Sequence, residues 1–126
     1  MKLSDFDLDL NFGLEGEAIV YELLTGGKTI EVKRDRRWKE TGNLYIETEC
    51  FYQKDNCWKL SGLRATKAEY WAFVLERMVL IVPTKDLINT VLRVNRPVLC
   101  EIPPNQSKGY LITVKDLIET NVLHNS

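Results

Sequence analysis

Histidine occurs once, at His124, and cysteine three times, at Cys50, Cys57 and Cys100. A single histidine beside three scattered cysteines offers no recognisable zinc spacing, and an odd cysteine count closes no disulfide set, so free thiols are expected. No apolar run approaches membrane-spanning length and no secretory leader pattern is present, which sets the expectation of a cytoplasmic protein that does not engage a membrane. An excess of either charge is missing too. The 17 Lys and Arg against 18 Asp and Glu leave a formal net charge of −1, a balance that argues against non-specific coating of nucleic acid. No linker-like stretch divides the 126 residues, so a single domain over 1–126 with a core of its own is expected.

What is present alternates between helix-like and strand-like patterns. Asp5, Asp7 and Asp9 interleave with Phe6, Leu8 and Leu10 in a segment suited to an extended arm or edge strand; no glycine-turned ligand loop follows that would make them a calcium site. From Gly13 the recurrence of Leu14, Ala18, Tyr21 and Leu24 predicts a helix stopped by Gly26-Gly27, with Glu17 in its first turn. Residues 51–56 read as a turn and Ser61-Gly62 as a tight bend or a close backbone approach. The apolar runs 68–75 and 78–82, parted by Glu76-Arg77, predict paired buried strands. Thr84 is expected to cap a helix to Arg93 whose buried stripe is Leu87, Ile88, Val91 and Leu92. Strands at 96–102 and 109–112 and a last helix at 114–121 complete the pattern, and the similar strings VPTKDLI and ITVKDLI each say strand end, cap and helix.

The most informative stretch runs from Lys28 to Cys50. Period-two alternation places Thr29, Glu31, Lys33 and Asp35 on one face of a strand, too charged to be core, and sets Leu44, Ile46 and Thr48 against Tyr45, Glu47 and Glu49 on the next. A hairpin folding near residue 39 would bring Glu31 roughly opposite Glu47. Two carboxylates about 4 Å apart repel by roughly 4 kcal/mol at an effective dielectric of ~20, so such a pair calls for a proton, a solvated geometry or, best, a divalent cation. Basic residues crowd the same region at Lys33, Arg34, Arg36, Arg37 and Lys39 around Trp38, and again at Lys59, Arg64 and Lys67. Acids that hold cations beside bases that hold phosphates suit a metal-dependent enzyme acting on a polyanion; a solvated hairpin tip is the alternative.

Taken in order, Gly16-Glu17 in the first helix, Glu31-Val32-Lys33-Arg34-Asp35, Thr41-Gly42-Asn43 leading to Ile46-Glu47, and Ser61-Gly62-Leu63 with Thr66, Ala68 and Tyr70-Trp71 behind it resemble the PD-(D/E)XK nuclease superfamily, especially its small phage-type and Holliday-junction-resolvase-like members. The resemblance covers roughly Asp5 to Pro83. It departs from the family pattern at one place: the lysine expected two residues after Glu47 is Glu49, and Lys33 on the neighbouring strand would have to supply the ammonium. A second threading takes Glu31-x-Lys33 as the acid-x-lysine and looks to Asp7 or Asp9 for the other acid.

That resemblance implies an α/β (α+β) domain with a central mixed sheet flanked by helices, a restriction-endonuclease-like core, in the cytoplasm of a bacterial or phage-infected cell. It also implies hydrolysis of DNA phosphodiesters with Mg²⁺ or Mn²⁺ held by Glu31 or Asp35, by Glu47 and by Glu17 through water, Lys33 assisting. Arg34, Arg36, Arg37, Trp38, Lys39, Arg64 and Lys67 would contact DNA. A homodimer is compatible with such a nuclease. The alternatives are a metal-free nucleic-acid-binding module on the same fold and a non-enzymatic interaction protein. An enzyme needs the acids and Lys33 in one site, a binding module only the basic face, and an interaction protein an exposed apolar patch.

Overall fold

The computed structural model describes residues 18–35 and 37–124, the side chains up to residue 119. A helix α1 (residues 18–24) is followed by β1 (Ile30–Arg34), the single turn α2 (Trp38–Thr41), β2 (Asn43–Tyr52) and β3 (Cys57–Leu60). After a 3₁₀ turn (Gly62–Arg64) come β4 (Tyr70–Leu75), β5 (Met78–Pro83), α3 (Thr84–Val94), β6 (Pro97–Cys100), β7 (Ser107–Thr113) and α4 (Val114–His124). The fold is α+β. Its strands divide between two sheets, one ordered β1-β4-β5 and one ordered β3-β2-β7-β6, where a single central sheet was expected. Among the described residues no helix is long and apolar enough to cross a membrane.

The expected hairpin of residues 28–35 with 43–50 does not form. β1 pairs in parallel with β4, Glu31 beside Trp71 and Lys33 beside Phe73, whereas β2 pairs antiparallel with β3 and β7. The physical reason lies in what each strand must bury. β2 carries Leu44 and Ile46, both fully buried, and β7 meets them with Tyr110 and Ile112 on the same face. β1 would have offered only the smaller pair Ile30 and Val32 between charged neighbours, less apolar surface than Tyr110 and Ile112 supply. β1 instead takes the rim of the first sheet. Its Glu31 and Lys33 share a face with the buried Trp71 and Phe73, against the expectation that this face points away from the core, while Ile30 and Val32 are exposed. The rim position lets Lys33 stay half in water with its ammonium over the Trp71 ring, 5.5 Å from the centroid.

The runs expected as paired strands do pair, β4 against β5, and Trp71, Phe73 and Leu75 enter the core with Leu87, Val91, Ile112 and Leu117. Burying each large side chain is worth about 1.5–3 kcal/mol. In α3 the buried stripe is Leu87, Thr90 and Val91; Ile88 and Leu92 turn outward. Thr90 enters because its hydroxyl donates back to the Asp86 carbonyl at 2.8 Å and so carries no unmet polarity inward. Pro83, not Thr84, is the N-cap of α3, and the Thr84 hydroxyl donates to the Ala68 carbonyl, fastening the helix start to the approach of β4.

Both similar strings run from a strand end into a helix, but only the second builds a reciprocal cap. The Thr113 amide donates to Asp116 Oδ2 at 2.8 Å and the Asp116 amide to Thr113 Oγ1 at 3.0 Å. Arg96 pairs with the same carboxylate at 2.8 Å. Burial pushes the Asp116 pKa up, but hydrogen bonding of the carboxylate by the Thr113 backbone and side chain and the charges of Arg96 and Arg93 outweigh it and hold the carboxyl below its usual range. Elsewhere the expected close approach at Ser61-Gly62 is found: Gly62 has φ +51°, and a Cβ there would lie 2.1 Å from the Glu47 carbonyl oxygen.

These arrangements make two demands on stability. Gly62→Ala combines left-handed strain with a backbone clash and should cost about 2–4 kcal/mol in urea unfolding. Asp116→Ala should cost about 1–2 kcal/mol at neutral pH. Because the folded pKa of Asp116 is depressed, its contribution is fully present above the unfolded aspartate value and disappears as pH falls through the folded value. The unfolding curves of wild type and variant should therefore converge in acid; a pH-independent gap would mean that the carboxylate charge is not what stabilises the cap.

Candidate functional site

Where β1 leaves the first sheet, its end is tied to the second. Asp35 Oδ1 accepts the Arg37 amide at 2.9 Å and Oδ2 accepts the Tyr45 amide at 2.9 Å, so one carboxylate shapes the turn into α2 and clasps β2. The Arg37 carbonyl then accepts both the amide and the hydroxyl of Thr41, and Gly42, at φ +74°, turns the chain into β2. This clasp forms one wall of a cleft of about 640 Å³. Lys33, Arg34 and Arg37 border it from the end of β1 and the turn that follows, Asn43, Tyr45 and Glu47 from β2, and Ser107 with the segment around Cys100 to Ile102 from β7 and the end of β6.

The floor depends on a glycine and a bulge. Tyr45 lies across Gly109, where a Cβ would come 2.8 Å from the ring and 2.3 Å from the Ile46 carbonyl oxygen, and its hydroxyl meets Ser107 Oγ at 2.7 Å. Burial raises the Tyr45 pKa; the bond to Ser107 opposes this, and the nearby Cys100, Glu47 and Cys50 add to it, so the phenol stays protonated and available as a donor. Between Glu47 and Glu49 the pairing with β7 slips by one residue. That slip carries Cys50 onto the face of Tyr45 and Glu47, opposite Ser107, whose other neighbour is Cys100. Burial, then the charge of Glu47, pushes the Cys50 thiol up, and Cys50, Cys57 and Cys100 are free as expected.

Of the residues singled out in the sequence, Lys33, Arg34, Asp35, Arg37 and Glu47 border this one cleft. Glu31 does not: it borders a separate depression with Lys67, and its carboxylate pairs with Lys33 at 3.3 Å. Arg64 borders a third depression beside Lys108, and Lys39 pairs with Glu76 at 2.9 Å. Trp38 packs against the hydrophobic core, which removes it as a free stacking platform. Glu17, Arg36, Asp5, Asp7 and Asp9 lie outside the described residues. Tyr45, Ser107, Asn43 and Asn105 were missed as lining residues; a glycine in β7 that leaves room for the Tyr45 ring would have been the signal, had the partner of β2 been known.

A divalent ion held by Glu31 or Asp35, Glu47 and Glu17 can be tested against the part of that set described here. Among the described residues no three of His, Cys, Asp and Glu gather as a metal would require. Each Asp35 oxygen already accepts a backbone amide, Glu31 is turned to Lys33, and Glu47 is left as the acid on the floor. The described residues do not assemble the ligand set.

No family model matches this chain, and neither a curated protein nor a solved structure matches it. The likeness to PD-(D/E)XK nucleases is thus carried by its short motifs alone.

If Asp35 is a structural clasp, Asp35→Ala should leave two amides short of their acceptors and cost about 2–3 kcal/mol, with Asp35→Asn, which keeps one carbonyl oxygen, costing less. Denaturant unfolding of both variants measures this. Wild-type stability for Asp35→Ala would show that the carboxylate has some other role.

Proposed function

We propose that this protein binds nucleic acid along the cleft, with the phosphate backbone against Arg34 and Arg37 and without help from a bound metal. The supporting observation is that Lys33, Arg34 and Arg37 all border one cleft. Planar guanidinium groups match phosphate oxygens in pairs, whereas Lys33, shared with Glu31, contributes a diffuse positive field. Asn43, Asn105 and the Tyr45–Ser107 pair offer donors and acceptors for sugars or base edges. Glu47 and Glu101 on the remaining sides repel phosphates and confine the backbone to the basic wall. Such interactions read charge and shape, and no base preference follows from them.

Fluorescence anisotropy with single-stranded, duplex and branched DNA over a salt series tests the reading. Replacing Arg34 and Arg37 together by Ala should weaken binding and reduce the slope of log affinity against log salt by about one unit for each phosphate no longer neutralised. Lys39→Ala, which removes a group paired outside the cleft, should change neither. An unaltered salt slope in the double arginine variant would overturn the assignment.

Hydrolysis of DNA is the second reading, and one observation favours it: Lys33, Asp35 and Glu47 border the same cleft although β1 and β2 belong to different sheets. Cleavage by the wild type in Mg²⁺ or Mn²⁺, abolished in both Lys33→Ala and Glu47→Gln, would put it first. Binding without cleavage supports the metal-free module.

A further inference from the structure

We propose that β1 is a self-association edge, at which two copies of this chain pair antiparallel about a two-fold axis through Val32. β1 is the rim strand of β1-β4-β5, and the Thr29 carbonyl accepts the Tyr70 amide. Backbone groups of successive strand residues point to alternate sides, so Glu31 and Lys33 turn theirs toward β4 while Ile30, Val32 and Arg34 turn theirs outward. Among the described residues no strand pairs with that outer side. Val32 is 62% exposed and Ile30 39%, an apolar, unpaired edge of the kind that templates strand addition.

The charges of β1 select the occupant. With the axis at Val32, Glu31 of each copy stands opposite Lys33 of the other, and Val32 meets Val32. The outward amides and carbonyls of Ile30, Val32 and Arg34 are those that exchange hydrogen bonds in this register. Glu31 and Lys33 then fall at the closer, non-bonded positions, where opposed Cα atoms approach to about 4.5 Å and side chains interact most. Moving the axis to Glu31 or Lys33 still sets outward backbone groups against one another, but it places two like charges at a close, non-bonded position. The self-complementary order acid, apolar, base therefore fits a second copy of this strand in one register, as a two-fold interface requires. The opposite rim, β5, has exposed Met78 and Val79 but no charge to set a register, and it ends in Pro83, which has no amide to give. Pairing at β1 joins two three-stranded sheets into one, and it engages Lys33 and Arg34 where they border the cleft.

Sedimentation velocity of the full chain over a concentration series should show a monomer–dimer equilibrium. E31K alone and K33E alone each set like charges across the axis and should weaken dimerisation by about tenfold or more; E31K with K33E rebuilds the pattern with signs exchanged and should restore it. Val32→Pro deletes an outward amide and should abolish the dimer. Hydrogen exchange gives an independent reading: the Ile30, Val32 and Arg34 amides should be protected in the dimer and exchange freely in dilute monomer. A chain that stays monomeric, a dimer indifferent to these substitutions, or a double exchange that fails to restore association while circular dichroism is unchanged would each overturn the proposal. So would protection of those amides in the monomer, which would give the edge to another stretch of the same chain.

Discussion

The two sheets share one core, and at the end of β1 a single carboxylate ties them together. Asp35 accepts an amide from its own turn and an amide from β2, so the end of β1 is set directly against the strand that carries Tyr45 and Glu47. One of these bonds is local and the other spans ten residues, so a single side chain both stops β1 and starts the packing of β2. Everything basic on the wall follows from that stop. Lys33 and Arg34 precede the clasp and Arg37 follows it, so the turn that satisfies Asp35 also gathers the cations.

β2 carries the second constraint. Over its first half it must send Leu44 and Ile46 inward; over its second it must reach β3 while making room for the 3₁₀ turn. A one-residue slip against β7 reconciles the two, and Ser61 donates its amide to the Thr48 carbonyl at that point. Close approach is then unavoidable, which is why residue 62 has no side chain and a left-handed backbone. Gly109 does the same service on the other side of the strand, leaving space for the Tyr45 ring. Both glycines are explained by backbone crowding around one strand, and both in turn fix the face that Tyr45, Glu47 and Cys50 share.

Periodicity in the sequence revealed which residues alternate, where elements stop and where glycine forces a close approach. The β4–β5 pair, the Ser-Gly bend and the two strand-to-helix strings were legible because each is decided within a few residues. Pairing partners were not. β1 finds β4 across some forty positions and β2 finds β7 across about sixty, and a period of two defines a face without saying what lies beside it. The site was mis-assembled for the same reason. Glu31 and Glu47 were expected across a hairpin, whereas Asp35 and Glu47 reach one cleft from different sheets. The basic cluster, continuous in sequence, is dispersed in space: Lys39 turns to Glu76 at the β4–β5 turn, and Arg64 and Lys67 border other depressions.

That dispersal bears on how a chain with a net charge of −1 could still hold a polyanion. Beyond roughly 10 Å, the screening length near 0.1 M salt, the small net charge is largely screened; inside that distance the local arrangement decides. On the wall, Lys33, Arg34 and Arg37 stand within a few residues of one another, whereas Asp35 beside them has both oxygens engaged by amides. Glu47 and Glu101 stand elsewhere on the cleft. A polyanion approaching at random would meet weak repulsion, and one oriented along the wall would meet attraction. On the proposed reading the arrangement trades long-range capture for orientation, and with few phosphates engaged it would release few counterions, so affinity would have to come from fit along the cleft as much as from charge. A basic coat would bind in any orientation; under the proposal, this cleft would reward only one that sets the backbone beside Arg34 and Arg37.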